Sequence, residues 1–201
     1  MKLYHSPRTR SVRIYWLLEE LGVPCEIVSI DFNPESLKSP SYLKVNPLGK
    51  VPTIQDGDLT MFESGAILEY ILEKYGKGRL APAPGSPARG PFLQWVHFAE
   101  ATAMPPLSLI AAHTLFKPEA ERVPAVAAEA RASAAAVLAA LNQALAGKQY
   151  LLGDEFSAAD IMTGYSLLLM KWFGVLSDAY PNVVKYLEQL EQRPALQKAL
   201  R

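Results

Sequence analysis

Apolar residues along this chain follow two spacing rules, one before residue 76 and another after residue 90. In the first part, short apolar runs alternate with amphipathic stretches. Lys2–His5 reads as a brief strand. Ile14, Leu17, Leu18 and Leu21 stand at i, i+3, i+4 and i+7, one helix face, and Gly22 closes that helix. Cys25–Ile30 reads as a second strand, and a weaker helical turn is expected near Ser41–Val45. Val51–Ile54 and Leu59–Phe62 are two more strands, joined through Asp56-Gly57 as a hairpin. Leu68, Ile71, Leu72 and Tyr75 repeat the helical face. The predicted order is β-α-β-α-β-β-α, a small α/β sandwich.

The segment "GKGRLAPAPGSPARG", Gly76–Gly90, holds three prolines and four glycines in fifteen residues and reads as a linker. Beyond it every pattern is helical. Ala125–Ala146 contains twelve alanines, with Ala134, Val137, Leu138, Leu141 and Leu145 as one stripe. Alanine is the best helix former, so a long helix packed closely on its neighbours is expected. Pro105-Pro106 should break or kink an earlier helix that starts near Pro91. "FSAADI", Phe156–Ile161, is a helix start: Ser157 can cap, Asp160 can reach back, and Phe156 can staple onto Ile161. That helix runs on through Tyr165, Leu168, Leu169 and Trp172. There is no internal repeat. The expected division is an α/β domain over residues 1–78, a linker over 79–90, and an all-helical domain over 91–201.

Composition narrows the class. Of 201 residues half are apolar and one fifth charged, and twenty basic residues balance twenty acidic ones. No global field therefore draws nucleic acid or an anionic membrane. Cys25 is the single cysteine, which excludes an intrachain disulfide and fits a reducing compartment. The first residues, "MKLYHSP", lack the apolar core of a signal peptide. The apolar stretch around Ser166–Leu176 is interrupted by Lys171 and too short to span a bilayer. The expectation is a cytoplasmic protein.

Two features invite chemistry. The hairpin "GKVPTIQDGDLTMFES" carries Pro52 in its first strand, where a proline removes a ladder donor, and ends in Glu63-Ser64 just before a helix. Pro52 reads either as an edge-strand guard against aggregation or as part of a site. Ser64 reads either as an N-cap with Glu63 as a first-turn acid, or as part of an anion site at a helix start. The first strand–helix loop, "SPRTRS", offers the hydroxyls of Ser6, Thr9 and Ser11 and the cations Arg8 and Arg10. Both arginines read equally well as exposed loop charges. His5 reads as a satisfied strand residue and Cys25 as a small buried one.

In this order and spacing, "MKLYHSPRTRS", "NPLGKVPTI", "FESGAILEYI" and "FSAADI" resemble the glutathione transferase family across essentially the whole chain. The resemblance implies a thioredoxin-like N-terminal domain and a helical C-terminal one. It implies a cis Pro52 that turns the Val51 backbone toward a cleft, where the cysteinyl residue of glutathione pairs as an added strand. It also implies that Ser64 and nearby donors hold the γ-glutamyl carboxylate, with Glu63 facing its ammonium group. Lys38 or Lys50 would meet the glycyl carboxylate. The start resembles the bacterial beta class, with Arg10 at that class's cysteine position, His5 at its tyrosine position, and its serine retained as Ser11. Exchange through an enzyme mixed disulfide is therefore not expected.

The implied chemistry needs a thiolate. Lowering a thiol pKa from about 8.5 by about two units takes roughly 2.7 kcal/mol of preferential stabilisation. A helix start near Ser11 and a hydroxyl aimed at sulfur are the sources, with Ser11 ranked ahead of Thr9 and Ser6. Phe98, Met104, Leu107, Ile110, His113 and Trp172 are expected to line an apolar electrophile pocket, or else to be core. No metal is expected, glutathione is the co-substrate, and the partners are a small apolar electrophile and a second copy in a homodimer, for which Met61 and Phe62 suit an interface. Glutathione-dependent disulfide reduction, peroxide reduction or isomerisation, and a non-catalytic binding or assembly module, are the alternatives.

Overall fold

The computed structural model describes all 201 residues, which divide into two units: Met1–Ala81 with Glu191–Arg201, and Pro82–Leu190. The first unit has strands β1 (Lys2–His5), β2 (Glu26–Ser29), β3 (Thr53–Asp56) and β4 (Leu59–Phe62). Among them stand helices α1 (Ser11–Leu21), α2 (Pro34–Leu37), α3 (Pro40–Leu43) and α4 (Ser64–Tyr75). The sheet order is β2-β1-β3-β4, with β1 parallel to β2 and antiparallel to β3, and β3 antiparallel to β4. This is the thioredoxin-like architecture expected.

Leu3 and Ile54 pair across β1 and β3, and both are fully buried. The predicted stripes of α1 and α4 are buried too, at Ile14, Leu17, Leu18 and Leu21 and at Leu68, Ile71 and Leu72. Each such side chain contributes roughly 1.5–3 kcal/mol by leaving water. Gly22 takes φ 64° and ends α1, its N–H reaching the Glu19 carbonyl while Val23 reaches Leu18. β3 begins at Thr53, two residues later than the apolar run suggests, because Pro52 has no N–H to give a ladder. Cys25 lies outside β2 and is half-buried, not a core residue; burial pushes its thiol up to about 11.

α2 carries no apolar period and was not predicted. Its signal is local: Asn33 caps it through Ser36 N–H, and Pro34 opens it. α3 starts the same way, with Ser39 as cap and Pro40 at its first position.

The second unit is helical: α5 (Arg89–Ala101), α6 (Met104–Ala111) running into a π-helical turn over Ala112–Phe116, α7 (Pro124–Ala144), α8 (Ala158–Trp172) and α9 (Pro181–Glu191). Pro105 and Pro106 sit in the first turn of α6, where their missing N–H groups are no loss, so the break falls before them at Thr102-Ala103. The alanine stripe of α7 is buried and α7 packs on α6. By length and composition α7, and not the stretch around Ser166–Leu176 considered above, is long and apolar enough to cross a membrane. Its hydropathy comes from alanines, and Glu129 and Arg131 interrupt it.

α8 is buried along almost its whole length. Its fully buried Asp160 accepts from Ser157 N–H (2.8 Å), Ser157 Oγ (2.9 Å), Leu151 N–H (2.9 Å) and Tyr186 Oη (2.8 Å). That is the reciprocal cap foreseen in "FSAADI", extended to α9. Phe156 meets Tyr150 edge-on, with ring centroids 5.5 Å apart.

The chain's last eleven residues belong to the first unit, not to the helical domain assigned over 91–201. α10 (Pro194–Ala199) packs on α1. Arg193 forks onto Glu20 at 2.6 and 2.7 Å, and Trp16 Nε1 donates to the same carboxylate at 2.8 Å. Lys198 and Glu19 form a second pair, with the lysine side chain 56% exposed. Glu20→Ala strands two donors and should cost about 2–3 kcal/mol in urea unfolding, whereas Lys198→Ala should cost less than about 0.5 kcal/mol. Equal losses in the two variants would contradict this ranking.

Candidate glutathione site

The loop between β1 and α1 folds around one hydroxyl. β1 stops at His5 because Pro7 follows, Arg8 takes φ 60°, and α1 starts at Ser11. Ser11 Oγ lies 2.8 Å from His5 Nδ1, 2.7 Å from Thr9 Oγ1, 3.0 Å from the Ser6 N–H that donates to it, and 3.0 Å from the Ser6 carbonyl. A hydroxyl has one proton and two lone pairs, so these neighbours saturate it. Ser11 is also fully buried. The expectation that Ser11 stabilises a bound sulfur is therefore corrected: its hydroxyl is the internal knot of the loop.

Thr9 Oγ1 donates to the Ser6 carbonyl at 2.7 Å and accepts from Ser11 N–H at 3.3 Å; Thr9 is 7% exposed. Ser6 bonds only through its backbone, and its hydroxyl has no partner in the protein. Val12 and Arg13 N–H groups are bonded to the Thr9 and Arg10 carbonyls, so the start of α1 is closed by its own loop.

His5 is buried, edge-on to Tyr15, and its Nε2 has no partner. Burial lowers its pKa to about 4, against a partial rise from the contact with Ser11. The imidazole is thus neutral at pH 7 and supplies no positive charge to the loop.

At the hairpin the situation is reversed: backbone groups are open. The Val51-Pro52 peptide is cis. Val51 N–H and C=O make no backbone hydrogen bond. The preceding carbonyl, of Lys50, is gripped by Tyr42 Oη (2.6 Å) and Asn46 Nδ2 (2.8 Å), and Asn46 also reaches Thr53 Oγ1 (3.0 Å). Tyr42, Asn46 and Thr53 are buried. These anchors of the bend were missed in the sequence; the turn dipeptide Asn46-Pro47 was the available signal. Gly49 stands beside them with φ 58°, and a Cβ there would run into the Leu37 carbonyl oxygen.

β3 and β4 pair Thr53 with Phe62, a register that, continued, sets Val51 opposite Ser64. Glu63 takes φ 75° and turns the chain into α4. No side chain caps that helix. Its first intrahelical bond is Ile67 N–H to the Glu63 carbonyl, so the N–H groups of Ser64, Gly65 and Ala66 have no acceptor. Ser64 Oγ accepts from Arg13 Nη1 at 3.1 Å. Open amides at a helix start, backed by the macrodipole, form an anion receptor.

Lys38 Nζ donates to the Leu48 carbonyl at 2.7 Å, which ties its side chain to the loop before Gly49. Lys50 is exposed and next to Val51. In the helical unit, Met104, Leu107 and Ile110 are buried at 4%, 1% and 0% exposure, so these three are core and not pocket lining. Phe98 is half-buried against Trp95, at 5.1 Å between centroids. His113 Nδ1 accepts from Val123 N–H at 3.0 Å, holding the loop ahead of α7. Trp172 is 43% exposed.

A thioredoxin-like sheet with a cis-proline bend and an open helix start beside it, with an appended helical unit, is the combination that the family resemblance implies. The chain belongs to the glutathione S-transferase family. Residues 1–73 match the family's N-terminal domain and residues 104–194 its C-terminal domain. It is 34% identical over 198 residues to a probable glutathione S-transferase of Oryza sativa subsp. japonica, covering 94% of this chain and 90% of that one. A glutathione transferase family member from Pseudomonas fluorescens, solved with two glutathione molecules bound, superposes with a TM-score of 0.89 at 29% identity, covering 99% and 91% of the chains. A sphingomonad glutathione S-transferase complexed with glutathione gives 0.85 at 33% identity, covering 100% and 97%.

The buried neutral His5 makes stability depend on pH. Its folded value, about 4, lies below the unfolded one near 6.5, so the unfolded chain takes up a proton first. The stabilisation is complete above pH 6.5 and is lost as pH falls toward 4, by about 3 kcal/mol. His5→Asn should flatten that slope in urea titrations between pH 7 and 4; parallel curves for variant and wild type would refute the assignment.

Proposed function

We propose that this protein is a glutathione transferase that binds the tripeptide along the open hairpin end and delivers its thiolate to an apolar electrophile. One observation carries the reading: Val51 N–H and C=O and the three first amides of α4 lack partners at the same end of one hairpin. A strand-like peptide with a carboxylate at one end satisfies all of them. The cysteinyl residue pairs with Val51, and the γ-glutamyl carboxylate lies at the start of α4 on Ser64. Glu63 takes the ammonium group. Lys50 meets the glycyl carboxylate, while Lys38 holds the loop that presents it. The glutathione-bound family members support this pose.

Sulfur then lies toward the β1–α1 loop. One hydroxyl remains for it once Ser11 and Thr9 are assigned to the loop's interior: Ser6, whose hydroxyl has no partner, since Thr9 Oγ1 already gives its proton to the Ser6 carbonyl and contacts Ser11 Oγ and N–H. A donor there stabilises thiolate over thiol and so lowers the pKa of the bound thiol. No covalent bond to the enzyme forms; the protein contributes an ionised sulfur and proximity. Exposed Leu109, Leu115, Phe116 and Trp172 in the helical unit support an apolar second substrate. Leu59 and Phe62, exposed on the outer strand β4, support a homodimer, and a single cysteine supports a cytoplasmic location.

Calorimetry with glutathione and turnover of 1-chloro-2,4-dinitrobenzene test the reading together. Binding without turnover of that halide or of a glutathionylated disulfide would leave only a binding module. Thiolate absorbance near 240 nm gives the pKa of bound glutathione directly. Ser6→Ala should raise it by about one to two units, roughly 1.4–2.7 kcal/mol, and Thr9→Ala should act chiefly on the loop. Ser11→Ala should chiefly lower the melting temperature. A raised thiol pKa in Ser11→Ala alone would reverse these roles.

A further inference from the structure

The α/β unit carries a groove that the glutathione reading does not use, formed by α2, α3 and the end of β2. Its volume is about 650 Å³, within the range of pockets that take small ligands. Tyr4 and Tyr42 give it an aromatic wall, with ring centroids 5.5 Å apart. Ile30 and Val45 add apolar surface. Asp31, ahead of α2, and Glu35, within it, bring two carboxylates; both residues are exposed, and neither side chain has a hydrogen bond or ion pair in the protein. The hydroxyls of Ser29 and Ser36 are likewise unused. No lysine, arginine or histidine lines the groove.

Such a lining selects by charge. Carboxylates and hydroxyl lone pairs accept hydrogen bonds, and the faces of tyrosine rings attract a cation. An anion would meet two uncompensated negative charges. A divalent metal is served poorly too. It takes several oxygen ligands, and nowhere in the chain do three acidic, histidine or cysteine side chains gather for one. Ile30 and Val45 beside the acids suit instead a cation with a hydrocarbon body. The same donor set is at work elsewhere in the unit: the Lys74 ammonium lies 2.8 Å from Asp56 Oδ2 and 5.3 Å from the ring centroids of both Tyr70 and Tyr75. There two tyrosines and a carboxylate hold an alkylammonium that the protein itself supplies. In the groove two tyrosines and two carboxylates stand together with no protein cation among them.

We propose that this groove binds an alkyl diamine, its ammonium groups on Asp31 and Glu35 and its hydrocarbon chain over Tyr4, Ile30 and Val45. The groove shares only Tyr42 with the anchors of the cis-proline bend, where the phenol holds the Lys50 carbonyl. The proposal therefore does not rest on the glutathione reading and survives or fails by itself.

Chemical-shift titration of the full chain with 1,4-diaminobutane tests it against two controls. One is 1,4-butanediol, of equal length and without charge; the other is magnesium chloride at equal concentration. The diamine should bind saturably and shift amides between Ser29 and Val45, and neither control should displace it. Asp31→Asn combined with Glu35→Gln should weaken it by about tenfold or more, the scale of one or two charge-assisted hydrogen bonds. Tyr4→Leu should weaken it about two- to fivefold. Tyr4→Phe should leave it unchanged, because Tyr4 Oη already donates to Gln55 Oε1 at 3.0 Å. Should Tyr4→Leu not fold, the double variant, with both of its sites exposed, carries the test. Equal binding of butanediol would overturn selection by charge. Equal displacement by magnesium would reduce the effect to an ionic atmosphere and overturn the site. Undiminished binding in the double variant would put the diamine elsewhere, and a wild type without a saturable shift would refute the proposal outright.

Discussion

The organising constraint in the α/β unit is a set of backbone groups that the fold leaves unmade. A protein pairs nearly all its buried amides, because each orphan costs of the order of 1–3 kcal/mol when no water or ligand replaces the partner. Here Val51 and the first turn of α4 break that rule side by side. The surrounding sequence holds the groups open. Pro52 cannot extend the ladder, Tyr42 and Asn46 pin the carbonyl just before it, and Glu63 bends the chain into α4 without capping it. Four independent local choices keep one hairpin end from closing on itself. Such agreement is what the extended, anionic partner proposed for this end requires.

α1 ties that end to the rest of the unit. Its first residue, Ser11, gathers the β1–α1 loop, and two positions later Arg13 reaches Ser64. Its last turn carries Glu20, which Arg193 clasps from the far end of the chain. One helix thus meets the loop proposed to face sulfur and the helix start proposed to hold the carboxylate, and the C-terminal α10 braces it. An N-terminal domain cut out at the linker would lack that brace. The two helix starts also divide the labour: the amides of α1 are closed by Thr9 and Arg10, while those of α4 stay open.

Much of this architecture was legible in the sequence. Periodicity located α1, α4, the hairpin and the long alanine helix, since each buries a face wide enough to impose its spacing on several turns. It failed where an element is too short to have a period. α2, four residues long, is given away only by its Asn-Pro start, whereas the equally short α3 overlaps the weak helical turn expected near Ser41–Val45. It failed again on ownership: nothing in the pattern of residues 191–201 says which unit they cover, because the fork of Arg193 on Glu20 joins positions at opposite ends of the chain. The hairpin residues proposed to face glutathione were approached through family resemblance. Their unpaired backbone is a three-dimensional fact that no residue type announces. Burial decided the fate of Met104, Leu107 and Ile110, whose stripe serves equally for core or pocket until their exposure is known.

The loop hydroxyls show why side-chain chemistry is harder to read than fold. Ser6, Thr9 and Ser11 lie within six residues and share one functional group, so spacing ranks them poorly. A count of protons and lone pairs ranks them at once. Ser11 has His5, Thr9 and both backbone groups of Ser6 around it, more partners than one hydroxyl can serve, and none of its surface meets solvent. Thr9 spends its proton on the Ser6 carbonyl in this arrangement but keeps an edge exposed. Ser6 spends nothing through its side chain. The hydroxyl with the most hydrogen bonds is the one least able to serve a ligand, and the serine adjoining the helix owes its position to holding the loop that presents the others.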